Sequence, residues 1–371
     1  MASKTRLLSL PNDILITLPN YLHDIEDYKN FAATCHTIRM AMNSATPNQI
    51  LRLAIASSKI FFRPSPHFLV AATTRELGHW ARQNAANERE LATKLENGLE
   101  ALLLLAEEHC GLTMDRIRQL YEMRFSLIKP VTDIMDKCVG DQWYGTANFW
   151  DGGVSDAYTI HSDPASSVFH LAIYGELFGP DFDAFFDPTN STRRLSVETR
   201  LEFVKYCIPD YATFKCQDTA RDVEMPYGHM DPRRVTKSTG PYAANEPIES
   251  DNNIALTWIL KSSRWKPHWR AVREAAGPDF GELKDQWYVT SGKGRQRMWE
   301  ACLLSQGLQG YEMMFENLRD EWVERAKDWR GKIARIQQEP GTVRVGSTHT
   351  YQYPWLAGDL RVLATGYVAG T

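Results

Sequence analysis

A mainly α-helical chain in two parts is what this sequence predicts: an N-terminal three-helix module over residues 6–45, then a large helical body over 46–371 with a few short strands. Three observations carry the prediction. Apolar residues recur at three- and four-residue steps through most of the chain, the period of a helix with one buried face. Helix-start chemistry repeats, with a hydroxyl or acid set before a proline or an apolar turn, as at Thr46-Pro47, Ser65-Pro66 and Thr113. Hydrophobic residues make up 43% and charged residues 24% of the 371, the profile of a folded chain with a sizeable core rather than of a disordered one.

The first element lies in L-P-N-D-I-L-I-T-L-P-N-Y-L, residues 10–22. Pro11 suits a helix start, where its fixed φ helps and its missing N–H costs little. Pro19 falls where the helix should continue. It removes the bond to the carbonyl of Leu15 and disfavours helix at Leu18, so the helix is expected to kink or stop near Thr17. Over residues 10–39 the apolar positions Leu10, Ile14, Leu15, Leu18, Leu22, Ile25, Tyr28, Phe31, Cys35 and Ile38 are too many for one stripe. They imply two or three short helices with an exposed apolar side.

Thr46-Pro47 opens a helix over 48–57, Ser65-Pro66 one over 67–82, and Thr113 one over 114–127. In each, a side-chain oxygen is expected to accept from an orphaned first-turn N–H. Gly111, after a helix over 101–110, reads as a C-terminal stop. Residues 140–163 crowd glycines and aromatics without a period and read as a structured loop. Helices resume over 165–178 and 196–206. Residues 211–253, rich in Pro, Gly, Asp and Thr, read as a flexible insertion or an irregular lid.

Further helices are expected over 254–262, 267–276 and 296–305, followed by a long charged one over 311–338. There Phe315, Leu318, Trp322, Ala326, Trp329, Ile333 and Ile336 make one apolar stripe. The tail over 342–353 has the alternation of a short hairpin.

The net charge of −4 gives the molecule no electrostatic reason to seek phosphate backbones or anionic membranes, so neither nucleic acid nor membrane is expected as a partner. No window approaches the roughly 18 apolar residues of a membrane span. Cys35, Cys110, Cys138, Cys207, Cys216 and Cys302 lie far apart, mostly in apolar runs, with no C-x-x-C pair. Reduced, buried thiols in the cytoplasm or nucleus are expected.

The common hydrolase, zincin and nucleotide signatures are absent, which weakens an enzymatic reading; no catalytic residue, cofactor or metal is expected. Trp143, Tyr144, Trp150, Asp151 and His161 have the composition of an aromatic-lined ligand pocket. They equally have that of a glycine-hinged loop whose rings plug a core. His161, Asp156 and Asp163 lack the paired spacing of a transition-metal site. His170, in S-V-F-H-L-A-I-Y, reads as a hydrogen-bonded core histidine and Cys207 as a buried thiol. Residues 291–297 read as a solvated basic turn, with an anion cradle as the sharper alternative. In R-W-K-P-H-W-R, residues 264–270, the tryptophans are expected to anchor a helix start while the cations stay wet, rather than to stack bases.

The order Leu10-Pro11, Asp13-Ile14-Leu15, Leu18, Tyr21-Leu22, Asp27-Tyr28, Phe31 and Thr34-Cys35 resembles the F-box pattern L-P-x-[E/D]-I-L-x-x-I-x-x-Y-L…D-L…L…V-C. Pro19, Tyr28 and Ile38 depart from it. Residues 61–72 and 138–144 look like a group of fungal F-box proteins with long helical C-terminal parts. The resemblance implies a three-helix module that binds the Skp adaptor and, through it, a cullin. Leu10, Pro11, Ile14, Leu15, Leu18, Leu22, Ile25, Tyr28 and Phe31 would form its adaptor-facing and internal apolar surface. The body would then recruit an unknown protein substrate for ubiquitin-dependent degradation. The alternatives are a small-molecule-binding protein or enzyme with a site around Trp143 to His161, and an interaction protein that binds the adaptor without a cullin.

Overall fold

Helices carry the described part of the chain, and among the described residues no strand forms. The computed structural model describes residues 7–137, 164–187, 189–207, 265–277, 280, 299–300 and 302–335. The expected loop over 140–163, the insertion over 211–253, the helix over 254–262, the turn over 291–297 and the hairpin over 342–353 lie outside these residues. So do Cys138 and Cys216.

The N-terminal helices are short, for the reason the prolines give. Helix α1 (Asn12–Leu15) ends before Pro19, and Thr17 closes it by donating its hydroxyl to the Ile14 carbonyl at 2.8 Å. A 3-10 turn (Leu18–Tyr21) then takes Pro19 into its first turn, where no N–H is missed. Helix α2 (Ile25–Ala32) starts on Asp24, whose carboxylate accepts from the Asp27 amide at 2.8 Å. Helix α3 (His36–Met42) is tied to α2 by Tyr28, whose buried hydroxyl donates to the Met42 carbonyl at 2.7 Å.

Helix α4 (Pro47–Ala56) has a full capping box. The Thr46 amide donates to Gln49 Oε1 at 2.7 Å, and the Gln49 amide to Thr46 Oγ1 at 3.3 Å. Helix α5 (Ser58–Phe61) follows directly. Helix α6 (His67–Arg82) has the expected span but not the expected cap: Ser65 gives its hydroxyl to Ser58 at 3.1 Å, and Pro66 occupies the cap position.

Two helices that pack on each other come next, α7 (Ala85–Leu95), capped by Asn84, and α8 (Gly98–His109). Gly111 does not end α8 through a left-handed conformation, as expected; its φ is not among the positive ones. Its role is close approach. A Cβ there would collide with Pro47, and the neighbouring Leu112 amide donates to the Pro47 carbonyl at 2.9 Å.

Helix α9 (Met114–Met123) is capped by Thr113, whose hydroxyl accepts from the Arg116 amide at 3.1 Å. The expected stop at 127 is absent. The chain continues through a π turn (Arg124–Ile128) into α10 (Lys129–Lys137). Pro130 explains the widened turn, since a proline cannot donate to the ladder and its ring crowds the carbonyl four residues back. The Lys129 amide reaches the Arg124 carbonyl instead, five residues away.

Helix α11 (Pro164–Phe178) is buried from Ser167 onward and packs against α6, α10, α12 (Pro180–Phe186) and α13 (Val197–Cys207). Glu176 on α11 accepts from Arg75 of α6 at 2.5 Å and from the Leu308 amide at 2.9 Å, joining three distant segments.

A short 3-10 turn (Lys266–Trp269) leads into α14 (Arg270–Ala276), which packs on α15 (Asp320–Ala334). The single long helix expected over 311–338 is two pieces, a 3-10 segment (Gln309–Met314) and α15, parted by an extended Phe315. The break has a function in packing. Ten residues of straight helix span about 15 Å, yet the Trp322 indole donates to Glu312 Oε2 at 3.0 Å. Trp322, Ala326, Trp329 and Ile333 form the buried stripe, while Phe315 and Leu318 are half-buried and Ile336 lies outside the described residues.

The N-terminal helices share one core with the body. Leu15, Ile25, Tyr28, Ile38 and Met42 join the same apolar cluster as Ile50, Leu51 and Phe62. Arg52 of α4 donates to the Pro19 carbonyl at 2.9 Å, and the Ile25 amide reaches Ser57 Oγ at 3.4 Å.

Candidate partner-binding face

The residues expected at the N-terminal surface fall into three groups. Leu15, Ile25 and Tyr28 are inside, at 2%, 3% and 5% exposure. Leu10, Leu18, Leu22 and Phe31 are half-buried, leaning on the core. Pro11 and Ile14 are exposed, Ile14 at 48%. Leu15, Ile25 and Tyr28 therefore anchor the module to the body and are not available to a partner.

The outward apolar set includes Tyr21, from the Tyr21-Leu22 pair, and four residues that the spacing did not single out: Leu7, Leu8, Ile16 and Met40. The signal was present in α1, where successive residues turn by about 100°. With Leu15 inward, Ile14 and Ile16 flank it and face out. Tyr21, 75% exposed, is turned outward at the end of the 3-10 turn that Pro19 enters. Helices α1 and α3 are packed neighbours, so Ile14 and Ile16 stand beside the helix that carries exposed Met40. Several large apolar side chains left in water on adjoining short elements are what a partner would cover.

The interior polar groups are structural. Asp181 accepts from Arg82 Nε at 2.8 Å on one oxygen and from Arg200 Nη2 at 2.5 Å on the other, with all three side chains buried. Arg82 also donates to the Leu177 carbonyl at 2.7 Å and Arg200 to the Leu195 carbonyl at 3.0 Å. This locks α6, α12 and the start of α13 together.

Glu88 does the same between α7 and α13. Burial alone would raise its carboxyl. Hydrogen bonds from the Ser196 amide and hydroxyl, the Arg193 charge and the Thr199 hydroxyl outweigh that and hold it below the usual range. His170, wholly buried on α11, lies with its Nε2 3.3 Å from His67 Nε2. Burial and the neighbouring His67 hold its pKa well below the ordinary histidine value. The expected core histidine is what forms.

Cys110, Cys207 and Cys302 are buried free thiols, and Cys35 is half-buried. Burial pushes Cys110 up to about 12, with the Glu76 charge adding to it, and raises the other two buried thiols as well. None of the three is a nucleophile in this setting. Trp265 and Trp269 are buried and pack edge to face at 5.7 Å, while Arg270 stays in water beside Glu274. Their rings are thus unavailable for stacking on bases. Glu90, Glu108 and His109 gather at the surface, where His109 stacks on Trp80 at 4.1 Å; such a group of surface carboxylates is ordinary for helix flanks.

Trp143, Tyr144, Trp150, Asp151 and His161 lie outside the described residues. Among the described residues no helix is long and apolar enough to cross a membrane.

These features define a mainly α-helical protein whose N-terminal helices present apolar side chains outward from a shared core. In comparisons with known proteins, no family model, curated protein or solved structure matches the chain.

Proposed function

We propose that the chain is an F-box-type substrate receptor: its N-terminal helices bind the Skp adaptor and through it a cullin, and its body recruits a protein substrate for ubiquitin-dependent degradation. The observation that carries the reading is the outward pair Ile14 and Ile16 around the inward anchor Leu15, on a helix that stops before Pro19. Short helices with this division of faces suit a docking module better than a closed cap, which would bury such residues. In this role the chain supplies no chemistry. It raises the local concentration of a bound target near a ubiquitin-charged enzyme.

The test is co-purification with the Skp adaptor and a cullin. The double variant Ile14→Asp, Ile16→Asp should lose the adaptor while Leu104→Asp, more exposed on α8 at 55%, retains it. Adaptor capture that survives the double variant, or no capture by the wild-type chain, would overturn the reading. Capture of adaptor without cullin would assign a ligase-independent interaction role instead.

A further inference from the structure

Helix α5 and the loop after it face the π turn and α10 across an open cleft of about 660 Å³. Lys59 and Arg63 line one wall, Arg124 and Lys129 the other, with Glu100 and Asp133 also present. Four cations in one cleft are unexpected on a chain of net charge −4. Among the described residues none of the four takes part in an ion pair, although Arg118, Arg193 and Lys332 elsewhere on the surface do.

The π turn builds this wall. In a regular α-helix, residues five apart point about 140° away from each other. Here the Lys129 amide bonds the Arg124 carbonyl, and both cations line the same cleft. Arg124 is also the clamp between the walls, donating to the Phe61 carbonyl at 3.1 Å and to the Arg63 carbonyl at 2.7 Å. Arg63 spends only its Nε on protein, donating to the Lys59 carbonyl at 2.7 Å. Its Nη1 and Nη2 have no protein acceptor among the described residues. The Lys129 ammonium sits 4.4 Å from the centre of the Phe125 ring and makes no ion pair among the described residues, although Asp133 and Glu100 line the same cleft.

We propose that this cleft binds a small phosphate ester carrying hydroxyl groups, of nucleotide or sugar-phosphate size. Arg63 and Lys129 take the phosphate oxygens, with Lys59 adding charge, because guanidinium and ammonium donors without acid partners are suited to a dianion. Pro64 and Ile128 offer the apolar floor. Glu100 and Asp133 accept from ligand hydroxyls, which distinguishes an ester with hydroxyl groups from inorganic phosphate alone. The volume falls within the roughly 300 to 1,000 Å³ of small-ligand sites.

The test uses the full chain in thermal-shift and calorimetric titrations with ADP and glucose 6-phosphate, against inorganic phosphate and adenosine. At least one of the two esters should bind more tightly than about 1 mM and raise the melting temperature with the logarithm of its concentration above Kd. Arg63→Ala and Lys129→Ala should each weaken it about tenfold or more without lowering the unliganded melting temperature. Two results overturn the proposal: neither ester binding at millimolar concentration, or affinity undiminished in the Lys59, Arg63, Lys129 triple alanine variant. In the first of these cases, binding of a polyglutamate peptide would assign the cleft to an acidic protein segment. The adaptor reading stands or falls separately, because the Ile14, Ile16 variant should keep ester binding unchanged.

Discussion

Arg52 Nη2 donates to the carbonyl of Pro19 at 2.9 Å across 33 residues of sequence. The proline that ends α1 thus exposes a carbonyl that a helix would have used, and α4 takes it up. The bond ties the N-terminal helices to α4. Arg52 also approaches the Asn20 and Leu22 carbonyls at 3.4 Å, which adds direction more than strength.

Replacing Arg52 by methionine keeps much of the stem and removes the donors. A hydrogen bond to a charged group contributes about 1.5 to 3 kcal/mol. Faster amide exchange and faster proteolysis over residues 7–45 are expected, with α6 and α11 unaffected. Equal protection in the variant would show that apolar contacts alone seat the module.

Leu15 and Ile14 separate anchoring from docking. Leu15→Ala should destabilise by about 2 to 5 kcal/mol, the range for emptying a buried leucine site. Ile14→Ala should change stability by no more than about 0.5 kcal/mol. Urea denaturation of the two variants measures the difference, and similar midpoints would contradict the assigned faces.

Asp181→Asn leaves two buried guanidinium groups facing a neutral amide. Removing one partner of a buried ion pair costs about 3 to 5 kcal/mol. Asp183, 46% exposed and paired with Arg325 at 3.1 Å, provides the comparison. Asp183→Asn should cost far less, because a partly solvated pair is screened. A calorimetric scan in which the two variants melt together would refute the structural weight given to Asp181.

His170 sets a pH dependence. Its folded pKa is held below the unfolded value by burial and by His67, so at mildly acidic pH the unfolded chain binds the extra proton and is favoured. The stability contribution is complete above an unfolded pKa of about 6.5 and is lost as pH falls toward the folded value, with a slope of at most about 1.4 kcal/mol per pH unit. Melting temperature should therefore fall from pH 6.5 toward 5. His170→Gln should flatten that fall, and an unchanged slope would assign it to other groups.

Local chemistry was legible where one or two turns decide it. The Thr46 and Gln49 box, the Thr113 cap and the stop ahead of Pro19 each depend on residues within four positions of one another. The same local rules misread Ser65, whose hydroxyl goes to Ser58, and Gly111, which is required by the approach of Pro47. They also placed a helix end at 127 where a π turn carries the chain past Pro130. In each case a contact or a helix variant outside the local pattern won.

What the sequence by itself determined is the helical class, most helix positions and the crowding of apolar residues near the N-terminus, because periodicity and capping act over a few residues. Only the tertiary structure decided which of those residues face water. It turned Leu15 inward and left Ile14 and Ile16 outside, paired Asp181 with Arg82 from 99 residues away, and brought Arg124 and Lys129 into one cleft with Lys59 and Arg63. The reason is physical: a helix's own pattern defines its faces, but burial and the pairing of charges are settled by neighbours that the chain brings together from far along its length.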